Sequence, residues 1–207
     1  MTEAPPSPNP AVDLPIPPPI KPEHTLSGPQ WGMVSFLASE VALFSTLLVT
    51  YITFIGKDRV GPTPAEALSL PLVLFNTACL LASSFTIHMA EHGLLKVREE
   101  FLKWWAATIV LGTIFLLGTA YEWHDLIYNK HLTISRNLFG STFYTVVGFH
   151  ALHVTIGVVV LTIVFGLAVR RQISAVHRAG VELVSWYWHF VDVVWVVVFF
   201  IVYVFGR

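Results

Sequence analysis

Residues Trp186 to Trp195 read W-Y-W-H-F-V-D-V-V-W, and the apolar run that contains them continues to Phe205. His189 and Asp192 stand three apart there, so on a helix they share a face. An imidazole and a carboxylate can pass a proton, ligate a metal or tie two helices together, and hydrocarbon tolerates neither without a partner. The same chain carries His88 and His92 one helical turn apart, His150 and His153 three apart, and carboxylates at Glu40 and Glu122. With Trp186 at the head of the last motif, these are the candidate functional residues. Metal ligation, proton handling and interhelical hydrogen bonding are the chemistries they offer.

The elements that position them follow from composition. Of 207 residues, 55% are hydrophobic and 12% charged, and the mean hydropathy is +0.67, which excludes an ordinary soluble domain. About 20 apolar residues span a bilayer core as a helix. Five segments qualify: Trp31–Ile55, Leu68–Ala90, Trp104–Tyr128, Ser141–Val169 and Val184–Phe205. The expected fold is therefore an all-α integral membrane protein, a bundle of five transmembrane helices forming one domain over residues 30–207. Residues 1–29 hold ten of the thirteen prolines and are expected to form an extended or disordered tail. No charged segment leading into a short apolar stretch and a cleavage site precedes Trp31, so the first span is expected to serve as its own insertion signal. Gly61-Pro62-Thr63-Pro64 is expected to turn the first loop.

With the N-terminus cytoplasmic, the inner segments hold Lys21, Lys96, Arg98, Lys103, Arg170, Arg171 and Arg178, against Lys57, Arg59, Lys130, Arg136 and Arg207 outside. Seven against five favours N-inside and C-outside, the C-terminus lying on the outer side. The net charge of −1 and the lack of a basic block give no reason to expect nucleic acid, and Cys79 has no second cysteine to pair with.

Under that topology Glu40 and Asp192 each lie about 12–14 Å from the inner surface, with His88 and His189 just below them. If the first, second and fifth spans adjoin, these four residues form one inner-half polar network. Glu122 falls at the end of its span in L-G-T-A-Y-E-W-H, a partly solvated position. His150 and His153 lie nearer the middle or outer half, where hydrogen bonding across a helix interface is the default. The histidines superficially resemble the boxes of membrane di-iron desaturases and hydroxylases, but their depths disagree and no double-His box occurs. A di-metal site needs its ligands within a few ångströms of one another. A self-contained transporter is disfavoured by the lack of an inverted repeat or broken-helix pairs.

The segments S-F-L-A-S-E-V, F-N-T-A-C-L-L-A-S-S-F-T-I-H, L-G-T-A-Y-E-W, F-G-S-T-F-Y-T-V-V-G-F-H-A-L-H-V-T-I-G and W-Y-W-H-F-V-D-V-V-W resemble subunit III of the haem–copper oxidases. The resemblance runs from Trp31 to Arg207 and is to the five-span bacterial form. Glu40 matches the glutamate of the S-E-V motif typical of the cytochrome c oxidases, whereas quinol oxidase versions tend to differ there. A quinol oxidase subunit III, or the related nitric-oxide-reductase-associated protein, is the alternative. The resemblance implies a bacterial plasma-membrane subunit with no catalytic residue, haem or copper of its own, those cofactors lying in partner subunits I and II. It implies packing against subunit I, contact with subunit II and small subunits, possible membership of a respiratory supercomplex, support of proton uptake, and bound phospholipid. In the seven-span form the lipid cleft lies between the first two helices and the other five, so a neighbouring subunit would have to supply one wall here. Glu40, His88, Glu122, His150, His153, Trp186, His189 and Asp192 would then be packing or lipid-cleft groups.

Overall fold

The computed structural model describes residues 26–57, 68–94, 97–173 and 177–206. Its elements are α1 (Gly28–Phe54), α2 (Leu70–Leu94), α3 (Arg98–Tyr128), α4 (Leu138–Val169) and α5 (Arg178–Phe199), which continues as a wider π-helical turn over Phe200–Phe205. All five are long and apolar enough to cross a membrane, and no strand occurs among the described residues. The helices outrun the apolar segments read from sequence, α3 starting at Arg98 rather than Trp104 and α5 at Arg178 rather than Val184. Hydropathy marks only the part of a helix that faces hydrocarbon, and the charged turns beyond it stay helical. Pro29 sits in the first turn of α1, where its missing N–H has no helical partner to lose. Most of the proline-rich tail, residues 1–25, and the Gly61–Pro64 turn lie outside the described residues.

Helices α2, α3, α4 and α5 close a ring in which each packs on two neighbours, and α1 lies outside it against α4 and α5. Lipid tails are as apolar as leucine, so apolar burial gives helices little reason to associate, and close packing and interhelical hydrogen bonds must do so. The α2/α3 pair is the most extensive contact. Thr86 Oγ1 meets Thr108 Oγ1 at 2.8 Å across it, and Asn76 fills the space left by Gly118. Trp105 Nε1 donates to the Leu161 carbonyl at 2.9 Å, fastening α3 to α4.

Trp188 occupies the middle of the ring. Its Nε1 donates to Ser83 Oγ on α2 at 2.9 Å, and its ring lies between Gly112 of α3 and Gly157 of α4. A Cβ at either glycine would stand 2.7 Å from the indole. The ring is blocked on both edges and held by its N–H, so it cannot swing aside. Two turns further along, Trp195 repeats the arrangement. Nε1 donates to Thr77 Oγ1 on α2 at 3.0 Å, Phe115 of α3 meets the indole edge-on at 4.8 Å, and His150 of α4 stacks on it at 4.8 Å.

Gly157→Ala should therefore destabilise the helix bundle by about 1–3 kcal/mol, the range for overpacking a filled core. Gly166→Ala, where an added Cβ meets nothing within 4 Å, should leave stability unchanged or slightly raised. Thermal unfolding in detergent checks both, and equal midpoints for the two variants would refute the wedge.

Candidate functional site

The intramembrane polar residues fall into separate groups. On the α2/α5 interface, Ser84 Oγ stands between His189 and Asp192. The hydroxyl donates to Asp192 Oδ2 in a short hydrogen bond, and Nδ1 of His189 lies 3.1 Å from Ser84 Oγ. With the serine proton given to the carboxylate, the serine oxygen accepts from Nδ1–H. A serine, a histidine and an aspartate in contact invite a hydrolase reading, but the order is wrong. In a nucleophilic triad the imidazole stands between hydroxyl and carboxylate, so that it can take the hydroxyl proton while the carboxylate orients it. Here the hydroxyl stands between the other two and its proton is already committed. The arrangement ties α2 to α5 and does not activate an oxygen.

Glu40 does not join this group, contrary to the expected single inner-half network. Its Oε2 lies 3.0 Å from Nε2 of His153, on α4. The reason is the position of α1, which packs against α4 and α5 outside the ring instead of filling a place beside α2. Nδ1 of His153 is given to the Phe149 carbonyl at 2.7 Å, so Glu40 and His153 share one proton between Oε2 and Nε2. An ion pair and a neutral pair differ only in which atom carries it. Tyr187 on α5 donates to the His153 carbonyl at 3.0 Å, which makes this a junction of three helices.

Glu122 is also placed differently from expectation. It is buried, 4% exposed, rather than partly solvated, because the widened turn at the end of α5 folds Tyr203 over it. Tyr203 Oη donates to Glu122 Oε2 at 3.1 Å. The widening itself shows as the Gly206 N–H bonding the Ile201 carbonyl, five residues back, at 2.8 Å. His150 is fully buried and points into the ring, stacked on Trp195, while His153 points out to α1. Three residues apart on one helix, they serve different interfaces. Trp186 is half-buried on α5. His88 and His92 are exposed at the end of α2, with ring centroids 4.5 Å apart.

An apolar groove of about 430 Å³ runs between α1, α4 and α5, lined among others by Met33, Phe36, Leu152 and Ile156, with the Glu40–His153 pair in its wall. No group of three or more His, Cys, Asp or Glu side chains spaced to hold a metal occurs among the described residues.

Sequence reasoning missed Ser84, Tyr187, Trp188, Trp195 and Tyr203 as partners in these contacts. Part of the signal was present: Ser185, Trp188, Asp192 and Trp195 recur at spacings of three, four and three, the spacing of one helix face, and all four are buried. Ser84 gave no such signal, because a serine among alanines reads as close packing until its partner helix is known.

These features define a multi-pass helical membrane protein whose intramembrane ionisable groups join helix to helix. Among known families, the description cytochrome c oxidase subunit III matches residues 20–207. "Cytochrome c oxidase subunit 3" of Branchiostoma lanceolatum is 37% identical over 194 residues, covering 89% of this chain and 72% of that protein. The protein of the same description from Pisaster ochraceus is 37% identical over 197 residues, covering 89% and 74%, and the one from Synechocystis sp. is 37% identical over 178 residues, covering 84% and 74%. The chain belongs to the cytochrome c oxidase subunit III family.

Two groups rather than one network make a measurable difference. Glu40→Gln and His153→Gln should be non-additive in thermal stability, with a coupling energy of about 0.5–3 kcal/mol, whereas Glu40→Gln and Asp192→Asn should add to within about 0.5 kcal/mol. Coupling of Glu40 to Asp192 comparable to its coupling to His153 would restore the single network.

Proposed function

We propose that this chain is the non-redox third subunit of an aerobic cytochrome c oxidase in a bacterial plasma membrane. In this reading electron transfer from cytochrome c to oxygen, and the coupled proton translocation, take place on haem and copper held by subunits I and II. The chain packs against subunit I, stabilises it and supports proton uptake, with its N-terminus cytoplasmic and its C-terminus on the outer side. The observation that carries the reading is the use of the intramembrane polar groups within a chain of this family. Glu40, Glu122, His153, His189 and Asp192 each bond a side chain on another helix, and His150 is enclosed by aromatic rings. What these groups do chemically is fix helices. The glutamate in the S-E-V motif supports cytochrome c over quinol as donor.

The groove between α1, α4 and α5 suits a phospholipid acyl chain. Its walls are aliphatic and aromatic, and its polar atoms are largely taken up by the Glu40–His153 contact. Exposed apolar residues continue along the outer face of α4 at Leu152, Ile156, Val159 and Ile163. A face of that kind meets either lipid or the neighbouring subunit.

The test is to recover the complex containing this chain in mild detergent and take an optical spectrum, a metal analysis and a phosphorus analysis of the complex and of the dissociated chain. Haem and copper should be found in the complex and not in the separated chain, and lipid phosphorus should accompany the complex. Haem or copper that stays with the isolated chain would overturn the reading, as would recovery of the chain without any haem protein.

A further inference from the structure

We propose that the proline run Pro17-Pro18-Pro19 of this chain's own leading segment docks in the open cavity at the α2/α3 turn, with its rings on Trp104 and a carbonyl accepting from the Trp104 N–H. The contact lies apart from the interhelical bonds described above and does not depend on the proposed oxidase role. The cavity has a volume of about 300 Å³ and is lined by His88, Met89, His92, Gly93, Glu100 and Trp104. Trp104 is 39% exposed, and Phe85 on α2 meets its indole edge-on at 6.5 Å, which fixes the plane of the ring. The N–H of Trp105, the next residue, is given to the Leu161 carbonyl, whereas that of Trp104 has no partner among the described residues. The cavity thus offers a flat ring and a free donor.

A proline run supplies the complement. Aromatic-lined grooves recognise polyproline II segments because the flat rings of proline and of tryptophan meet face to face and an exposed carbonyl finds the indole N–H. Proline has no backbone N–H, so the run only accepts hydrogen bonds, and its fixed φ means that little conformational freedom is lost on docking. Nothing in the run competes for the Trp104 donor.

Position and reach agree. Successive spans alternate in direction, so α1 begins at the end of the bundle where α2 stops and α3 starts. Helix α1 borders α4, and α4 borders α3, so at about 8–10 Å per packed pair the cavity lies roughly 20 Å to the side of α1. Ten residues separate Pro18 from Gly28, where α1 begins, and at about 3.1 Å each they span roughly 31 Å in the polyproline II form. The tether is long enough. Charge favours the same end, because Glu91, Glu99 and Glu100 face only Lys96 and Lys103 around the turn, the guanidinium of Arg98 being given to the carbonyls of Ala168 and Val169 on α4 at 2.7 and 2.8 Å. Lys21, the one Lys or Arg in residues 1–25, follows the proline run by two positions.

The test uses the full chain, one copy per lipid nanodisc, with the photocrosslinker p-benzoylphenylalanine introduced at Ile20. Irradiation should join the leading segment to residues 88–104 of the same chain, read by peptide mass, and Trp104→Ala should abolish most of that product. Cross-links that go only to lipid or to other parts of the chain, or a yield that Trp104→Ala leaves unchanged, would overturn the proposal. A second measurement leaves the cavity residues untouched and compares acylation of His92 by diethyl pyrocarbonate with and without residues 2–20. A short tether gives an effective concentration of about 1 mM, so a contact with a dissociation constant below that is occupied more than half the time, and deleting the segment should speed acylation by more than about twofold. Equal rates in the two chains would also overturn it.

Discussion

The indole of Trp188 sets how near the helices of the ring can come. Hydrocarbon supplies almost no force to bring apolar helices together, so the geometry must come from shape and from hydrogen bonds that have no water to compete with them. Trp188 combines both. Its ring fills the gap that two glycines leave open, one on α3 and one on α4, and its N–H finds Ser83 on α2. A smaller residue would leave a void bounded by three helices, and a Cβ at either glycine would push a helix outward. Trp195 does the same two turns away with Thr77, Phe115 and His150. The relative positions of four helices thus depend on two tryptophans on one face of α5.

The charged residues are consequences of that frame rather than independent sites. With α5 held by its tryptophans, Asp192 and His189 are brought to Ser84 on α2, and Tyr203 at the widened end of the same helix reaches Glu122 on α3. Helix α1 has no such anchor within the ring. Glu40 with His153 is a polar link that fixes α1 against the outside of α4, and the apolar groove beside it is the space that an off-centre helix leaves. Glu40, Glu122, His153, His189 and Asp192 therefore each have a mechanical task in holding one helix to another.

Much of this could be read in the sequence. Five spans followed from the length of the apolar runs, and the resemblance followed from long motifs such as W-Y-W-H-F-V-D-V-V-W. Height along a helix axis was legible too, since rise per residue is fixed. Azimuth was not. Rise per residue cannot say which neighbour a side chain faces, and α1 lies outside the ring rather than beside α2. Glu122 looked solvated because it falls at the end of its apolar span, and only the π-helical turn carrying Tyr203 shows that it is covered. Wide turns of this kind leave no trace in hydropathy.

The most direct measurement compares catalysis with cohesion in the intact oxidase carrying Asp192→Ala. Oxygen reduction would be measured per assembled haem, and the temperature at which the complex dissociates would be measured on the same preparation. If the intramembrane carboxylate is a helix fastener, turnover per haem stays within about twofold of the parent while the dissociation temperature falls. Loss of turnover in a complex that dissociates at the parental temperature would contradict the account and make Asp192 a participant in the chemistry.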